Sequence, residues 1–430
     1  MHRRLLPVAL AAVSACHSTI YDAVDPEVRV ETPVVWAGAD IVLTSASFTG
    51  VDTLPLVLVG DDTLTPRYAP PDSLRVAAPD SQGTYEVRVW FRARPLPLPY
   101  GAITVQGGYS GYRDVPSIGG YPLLWPGGGL PKFLIGVPDG LALVDPRSST
   151  TVRVLPDSIF DQYCFNGPGP APDGRVTVSR SLPNWECGPL VSVQLANPTL
   201  APAPGPRRCT GCRFAAQLGP DRWLVFFHHG FESWYRDSTG AWTGTLYWYG
   251  EPHDVAVSRR VDRAVPLGAN SRGLGTPVFT SASAGPAYVL SQFGEVSAAQ
   301  FTDDGDTLYV VAWPADTAGG AGPLLAVLRA ADGAVLRSAP AWGGDHLVLD
   351  PVRPFLYLAG YEGSWYQAVQ VVDRATLKPV TTLRAPDDLR SPGNLYPMLS
   401  AAERKLYLVD TCPWCLAGYS ARIFAFDLLR

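Results

Sequence analysis

The sequence predicts an all-β chain: a small β-sandwich followed by a ring of seven four-stranded sheets. Three observations carry this. Glycine and proline number 42 each among 430 residues, spread along the chain and accompanied by 12 Trp and 19 Tyr. That is the profile of many short strands joined by tight turns. Apolar and polar residues alternate over short runs, and helical periodicity is nearly absent. Beyond residue 115, a polar turn leading into an apolar strand returns roughly every 45 residues. A chain of this length exceeds what one core serves, so two domains are expected.

The chain opens Met1-His2-Arg3-Arg4, then an apolar run over residues 5–12, then Val13-Ser14-Ala15-Cys16. A basic start, a short apolar core and small residues before a cut site make a secretory signal peptide. The run is far shorter than the ~20 residues a bilayer span needs. The ending resembles the lipobox of bacterial lipoproteins, in which a Cys follows a branched apolar residue and two small ones. The resemblance implies that residues 1–16 are a signal peptide with its lipidation site. Cys16 would carry a diacylglyceryl thioether and become the mature N-terminus. Each buried methylene of the acyl chains contributes about 0.8 kcal/mol, so such an anchor holds. His17 stands where an Asp would resemble an inner-membrane retention signal. The expected location is therefore the bacterial cell envelope, lipid-anchored at the outer membrane, with the side it faces left open.

Residues 26–107 carry short alternating strands at 28–30, 40–44, 56–59, 73–77, 84–90 and 102–105. Ala37-Gly38, Gly60-Asp61-Asp62, Pro79-Asp80 and Gln82-Gly83 punctuate them as turns. The spacing fits a small β-sandwich. The order Pro33, Gly38, Ile41-Val42-Leu43, Phe48, Val57-Leu58-Val59-Gly60, Val76, Pro79 and Gly83-Thr84-Tyr85-Glu86-Val87 resembles the IPT/TIG family of immunoglobulin-like domains. That resemblance implies an Ig-like spacer or adhesive module without catalysis.

From 115 to 430 the chain repeats. Segments 302–309 (TDDGDTLY), 350–357 (DPVRPFLY), 400–407 (SAAERKLY) and 258–265 (SRRVDRAV) align without gaps. Shorter copies end near Val176 and Trp223, and a degenerate one near Phe133. The seven anchors at 133, 176, 223, 265, 309, 357 and 407 are spaced by 43, 47, 42, 44, 48 and 50 residues. A second hairpin follows most anchors, as at 143–155, 234–246, 327–339 and 371–383. Four strands in such a period make one blade of a β-propeller, and seven units make a seven-bladed ring. The turn-plus-strand pattern resembles YVTN-type propeller repeats. It implies the fold and leaves function open, because propellers host binders, lyases, lactonases and dehydrogenases. The last unit ends after its third strand, 421–427, and a strand from before Tyr121 is a candidate to close the ring.

In such a ring, one face carries the loops entering each first strand and those joining second to third strands. Cys164, Cys187, Cys209, Cys212, Cys412 and Cys415 all map to that face. In an exported chain six cysteines are expected as disulfides, paired Cys164–Cys187, Cys209–Cys212 and Cys412–Cys415. A four-cysteine zinc site and a redox dithiol remain alternatives, although CPWC lacks the strand-to-helix setting that lowers a thiol pKa. His228, His229, His253 and His346 map to the same face, accompanied by Glu232, Glu251, Asp254 and Asp345. They are either polar caps on exposed loops or an acid/base or metal cluster at the axial mouth. None of them has the spacing of HExxH, and GxSxG, P-loop and dinucleotide signatures lack a supporting context. Trp342, Trp365 and Tyr366 read as blade packing or as sugar platforms.

The formal net charge is −5, and loss of the two positive charges of Arg3 and Arg4 makes it −7. Nucleic acid is a poor partner for such a chain. The expected function is a non-catalytic binding or scaffolding lipoprotein without a cofactor. Its membrane contact is the lipid, and its propeller loop face engages a protein, glycan or small molecule. An extracytoplasmic lactonase- or lyase-like enzyme and a subunit of an envelope assembly are the alternatives.

Overall fold

Period-two alternation places side chains on opposite faces of a strand, and the computed structural model of the chain is built almost wholly from such strands. It describes residues 27–49, 54–91, 95–116, 123–125, 132–137, 140–147, 150–156, 169–170, 175–181, 187–194, 200–202, 212–227, 230–248, 252, 254–258, 260–268, 275–283, 285–315, 322–344, 346–361, 367–386, 394–411 and 420–429. Among these, one 3-10 turn, Ala46–Phe48, is the only helical element. The chain divides into two units, Met1–Gln106 and Gly107–Arg430.

The first unit contains two sheets. One runs in the order Arg29–Val30, Asp40–Thr44, Ser73–Ala77, Arg67–Ala69. The other runs Val34–Val35, Leu98–Val105, Gly83–Trp90, Leu56–Val59, Asp62–Leu64. Every second residue of the longer strands enters one shared cluster. Ile41, Leu43, Leu74 and Val76 come from one sheet, and Val57, Val59, Val87, Val89, Ile103 and Val105 from the other. Phe48 is fully buried there, its ring centroid 6.3 Å from that of Phe91. Between Leu56–Val59 and Asp62–Leu64, Gly60 has φ 62°, and a Cβ there would lie 3.0 Å from the Tyr85 ring. A left-handed turn pressed against an aromatic face is a glycine position.

In the second unit the strands fall into successive groups of four. The first contains Leu123–Trp125, Lys132–Val137, Gly140–Asp145 and Thr150–Pro156. The second contains Gly169–Pro170, Arg175–Ser181, Cys187–Gln194 and Leu200–Pro202. A single residue pair, Val178 with Phe214, links it to the third: Cys212–Gly219, Arg222–Phe227, Gly230–Arg236 and Trp242–Trp248. The fourth consists of two hairpins, Asp254–Ser258 with Arg263–Leu267 and Thr276–Val278 with Tyr288–Leu290. They are joined by reciprocal 2.9 Å backbone bonds between Ala264 and Phe279. The fifth contains Phe293–Phe301, Thr307–Pro314, Leu324–Arg329 and Val335–Pro340. The sixth contains His346–Leu349, Phe355–Tyr361, Gln367–Asp373 and Pro379–Arg384. The last group takes Asn394–Ser400, Lys405–Thr411 and Ser420–Asp427 from the C-terminus and Gly108–Pro116 from the far end of the unit. All seven repeat anchors, from Phe133 to Tyr407, lie in the second strand of their group. The strand Gly108–Pro116 begins ahead of residue 115, the expected start of the repeat, and belongs to the second unit.

Apolar faces fill the spaces between sheets. Tyr309, Val311, Leu325 and Val327 of the fifth pack with Leu347, Leu349, Leu356 and Leu358 of the sixth. Val144 of the first group shares a cluster with Val115, Tyr396, Met398, Tyr407, Val409 and Ile423 of the last.

A buried ion pair joins the sixth and last groups. Asp350 is fully buried, and Arg404 donates to both its oxygens, Nη1 to Oδ1 at 2.9 Å and Nη2 to Oδ2 at 2.8 Å. Val352 and Arg353 donate backbone N–H groups to Oδ1 at 2.9 and 3.1 Å, and the Tyr357 hydroxyl donates to Oδ2 at 2.6 Å. Burial pushes the Asp350 pKa up, but bonds from Arg404, Tyr357 and the two amides outweigh it and hold the carboxyl below its ordinary range. Burial, and then the carboxylate, push the Tyr357 hydroxyl well above the phenol range. Asp350→Asn keeps the shape but leaves the Arg404 charge unpaired, at 11% exposure. Loss of one partner of a buried pair costs about 3–5 kcal/mol. Because the folded-state pKa of Asp350 is depressed, its contribution is full above the unfolded value of about 3.9 and is lost as pH falls through the folded value. Urea titrations should show Asp350→Asn weakened by that amount at neutral pH, with the gap to the native chain closing in acid. An equal gap at pH 7 and in strong acid would contradict this account.

Candidate functional site

Strand direction decides which loops share an end of each sheet. In the third group Cys212 pairs with Phe227, and Phe227 with Gly230. The entry to the first strand and the hairpin from second to third strand therefore meet at one edge. In the sixth group the same edge carries His346, paired with Ala359, while Tyr361 pairs with Gln367. In the fourth, Asp254 opens the first strand opposite Leu267.

Of the residues singled out from the sequence, Cys16, Cys164, Cys209, Cys412, Cys415, His228, His229, Glu251, His253, Asp345, Trp365 and Tyr366 lie outside the described residues. Cys187 and Cys212 open the strands Cys187–Gln194 and Cys212–Gly219, with backbones opposite Ser181 and Phe227. Phe227 and Gly230, which flank His228 and His229 in sequence, are paired with one another.

Asp254, Glu232 and His346, described at this edge, each have a partner. Asp254 is half-buried, and its Oδ1 accepts the Val255 N–H at 2.7 Å. That bond fixes the start of the strand, as short acidic side chains do at chain reversals. Glu232 accepts the Trp234 indole N–H at 2.6 Å. His346 is half-buried with its ring centroid 4.5 Å from that of Tyr396, at 48°. The contact crosses from the sixth to the last group. Asp254 and His346 themselves stand on different groups, the fourth and the sixth. Among the described residues there is no set of three or more His, Cys, Asp or Glu that could hold a metal ion.

The opposite edge holds charged groups not singled out from the sequence. Arg147, in the turn after Gly140–Asp145, donates Nε to the Asp145 oxygens at 2.9 and 3.1 Å, and Nη2 to Oδ2. Its Nε lies 3.8 Å from Glu403 of the last group, and Glu403 accepts the Tyr407 hydroxyl at 3.1 Å. Burial, then Glu403, push the Tyr407 hydroxyl above the phenol range. Beside these residues lies a cleft of about 520 Å³, lined among others by Arg113, Arg147, Glu403 and Lys405. That volume is in the range of small-molecule sites. The only sequence signal for this edge is the repeated polar turn itself. Asp350 and Tyr357 stand at the two ends of DPVRPFLY, and Glu403 and Arg404 sit inside SAAERKLY. Nothing in the spacing says that the turn of one unit reaches the next.

No family model matches the chain, and no curated protein matches it. Among solved structures it is similar to the β-propeller domain of Myceliophteria thermophila Cps50 (Swd1). The identity is 9% and the TM-score 0.50, over 75% of this chain and 100% of that one. A likeness at this identity concerns the fold alone: the chain is all-β and carries a β-propeller fold.

Proposed function

We propose that this chain is an exported, lipid-anchored binding or scaffolding protein that acts without catalysis of its own. Its Ig-like sandwich is the spacer, a closed seven-bladed propeller is the head, and the lipid on Cys16 is the foot. The observation that carries the reading is the propeller fold with its described loop-edge side chains already committed. Asp254 caps its own strand, Glu232 holds an indole, and His346 rests on Tyr396. General acid–base work needs such groups within reach of a substrate proton, whereas a docking surface needs them held still. The apolar run before Val13-Ser14-Ala15-Cys16 supports export and anchoring. The propeller places its partner, whether protein, glycan or small molecule, on the face bearing the six cysteines and His228, His229, His253, Asp254, Asp345 and His346. The pairs Cys164–Cys187, Cys209–Cys212 and Cys412–Cys415 staple that face and reduce the entropy lost on binding.

Cys16→Ser should release the protein from the membrane fraction, read by fractionation and immunoblot; undiminished membrane retention would remove the anchor from the proposal. Thiol titration of the unfolded, unreduced chain should find no free cysteine, whereas four thiols with bound zinc would favour a metal site. Pull-down from solubilised envelope should return a partner. Its capture should fall at least about tenfold, a difference of 1.4 kcal/mol, in His228→Glu or His346→Glu and persist in Asp303→Arg. Loss confined to Asp303→Arg would place the binding face on the opposite side. Turnover of a lactone or uronide by the purified chain would replace the scaffold with an enzyme.

A further inference from the structure

The cleft between the first and last groups has a floor, a rim and an imbalance of hydrogen-bonding groups. Register defines the floor. Gly111 pairs with Ala425, and Ala425 with Tyr407, so their side-chain positions share one face of the last sheet. Arg113, opposite Ile423, lies on the same face. Nothing stands within 4 Å of where a Gly111 Cβ would be. Gly111 on the bulged strand and the half-buried Ala425 opposite it thus leave a small patch open beside the turn Pro146-Arg147, while Ile423, 1% exposed, belongs to the core next to it. Bulges of this kind are common beside binding sites because they re-aim the neighbouring side chains.

The rim carries Arg113, Arg147 and Lys405 against the single carboxylate of Glu403. The acids in and behind the rim are supplied with donors. Asp145 takes Arg147, Glu403 takes Tyr407 and faces Arg147, and Asp427 takes Lys405. Lys405 also reaches the Ser110 hydroxyl at 3.4 Å. Arg113 is exposed and has no acceptor among the described residues. A guanidinium presents five N–H donors in a fixed fork, and Arg147 Nη1 adds donors that its contact with Asp145 leaves unused. Among the described residues the rim carries three cations against one carboxylate, so the ligand that balances it is an anion rich in acceptors. Forked donors favour a planar or tetrahedral oxyanion. The open space over Gly111 and Ala425 admits the C–H face of a ring.

We propose that this cleft is a binding site for an acidic saccharide, whose ring lies on Gly111 and Ala425 and whose carboxylate or phosphate is held by Arg113. The site is independent of the loop face proposed above and shares no residue with it, so either can fail alone. The chain as a whole is negatively charged, which makes the affinity a matter of local donors and not of long-range attraction.

The test is titration calorimetry on the full chain. The probes are disaccharides carrying a carboxylate or a phosphate, their neutral parents, and inorganic phosphate. Acidic members should bind and neutral parents at least about tenfold more weakly, as loss of a charge-assisted bond predicts. Arg113→Gln should bring the acidic members down to the neutral level. Ala425→Leu should abolish binding by filling the floor. Arg353→Gln, an exposed arginine elsewhere, should change nothing. Thermal unfolding of Arg113→Gln, an exposed position, verifies that the variant is folded. Equal binding of acidic and neutral members, indifference to Arg113→Gln, or no binding by any acidic member would overturn the proposal. Inorganic phosphate binding as tightly as the saccharides would overturn the sugar part of it.

Discussion

The strand Gly108–Pro116 pairs antiparallel with Ser420–Asp427, from Gly108 opposite Asp427 to Pro116 opposite Ser420. The rest of the second unit depends on this pairing. Without it, the last sheet would end on Ser420–Asp427 with a row of unpaired backbone groups, a liability that folded proteins suppress. With it, Val115 enters the cluster that Val144 of the first group shares with Tyr396, Met398 and Ile423. Joining residues so distant in sequence is tolerable because loop-closure entropy grows only logarithmically with length. The same dependence on non-local contacts makes such a fold slow to assemble.

The two edges of the sheets do different work. At the edge of the tight turns, the ion pairs of Asp350 with Arg404 and Arg147 with Glu403 link one group to the next. A buried pair of this kind adds little net stability over an apolar replacement, but it penalises any arrangement in which the partners separate. It therefore specifies which turn neighbours which. At the other edge, the described contacts include a capped strand start, an indole on a carboxylate and a histidine ring on a tyrosine. These hold a surface in place without linking turn to turn by charge.

The apolar content of the chain is distributed in a regular way. In the first unit one cluster collects alternate residues from two sheets. In the second, apolar side chains pack between neighbouring groups, as Leu325 and Val327 do with Leu356 and Leu358, and also within one group, as Trp223 and Val225 do with Trp234. Dividing the core this way lets a long chain bury its apolar surface without a single oversized interior. Where small residues replace large ones on a face, as Gly111 and Ala425 do, the packing opens into a cleft.

Much of this was determined by the sequence alone, because strand identity is a local property. The runs Ile41-Val42-Leu43 and Val57-Leu58-Val59 already read as strands whose first and third residues share a face, although three apolar residues in a row leave open which face goes inward. The recurrence of anchors at Phe133, Val176, Trp223, Val265, Tyr309, Tyr357 and Tyr407 already gives the second strand of every group. Short edge strands such as Val34–Val35 and Asp62–Leu64 were not legible, since two or three residues carry no period. Nor could spacing show that Arg404 meets Asp350, that His346 rests on Tyr396, or that Gly111 faces Ala425. Those partners lie dozens to hundreds of residues apart. Periodicity reports only how a segment presents itself to whatever packs on it. Which residue arrives from the other side was decided by the tertiary structure, through the register of distant strands.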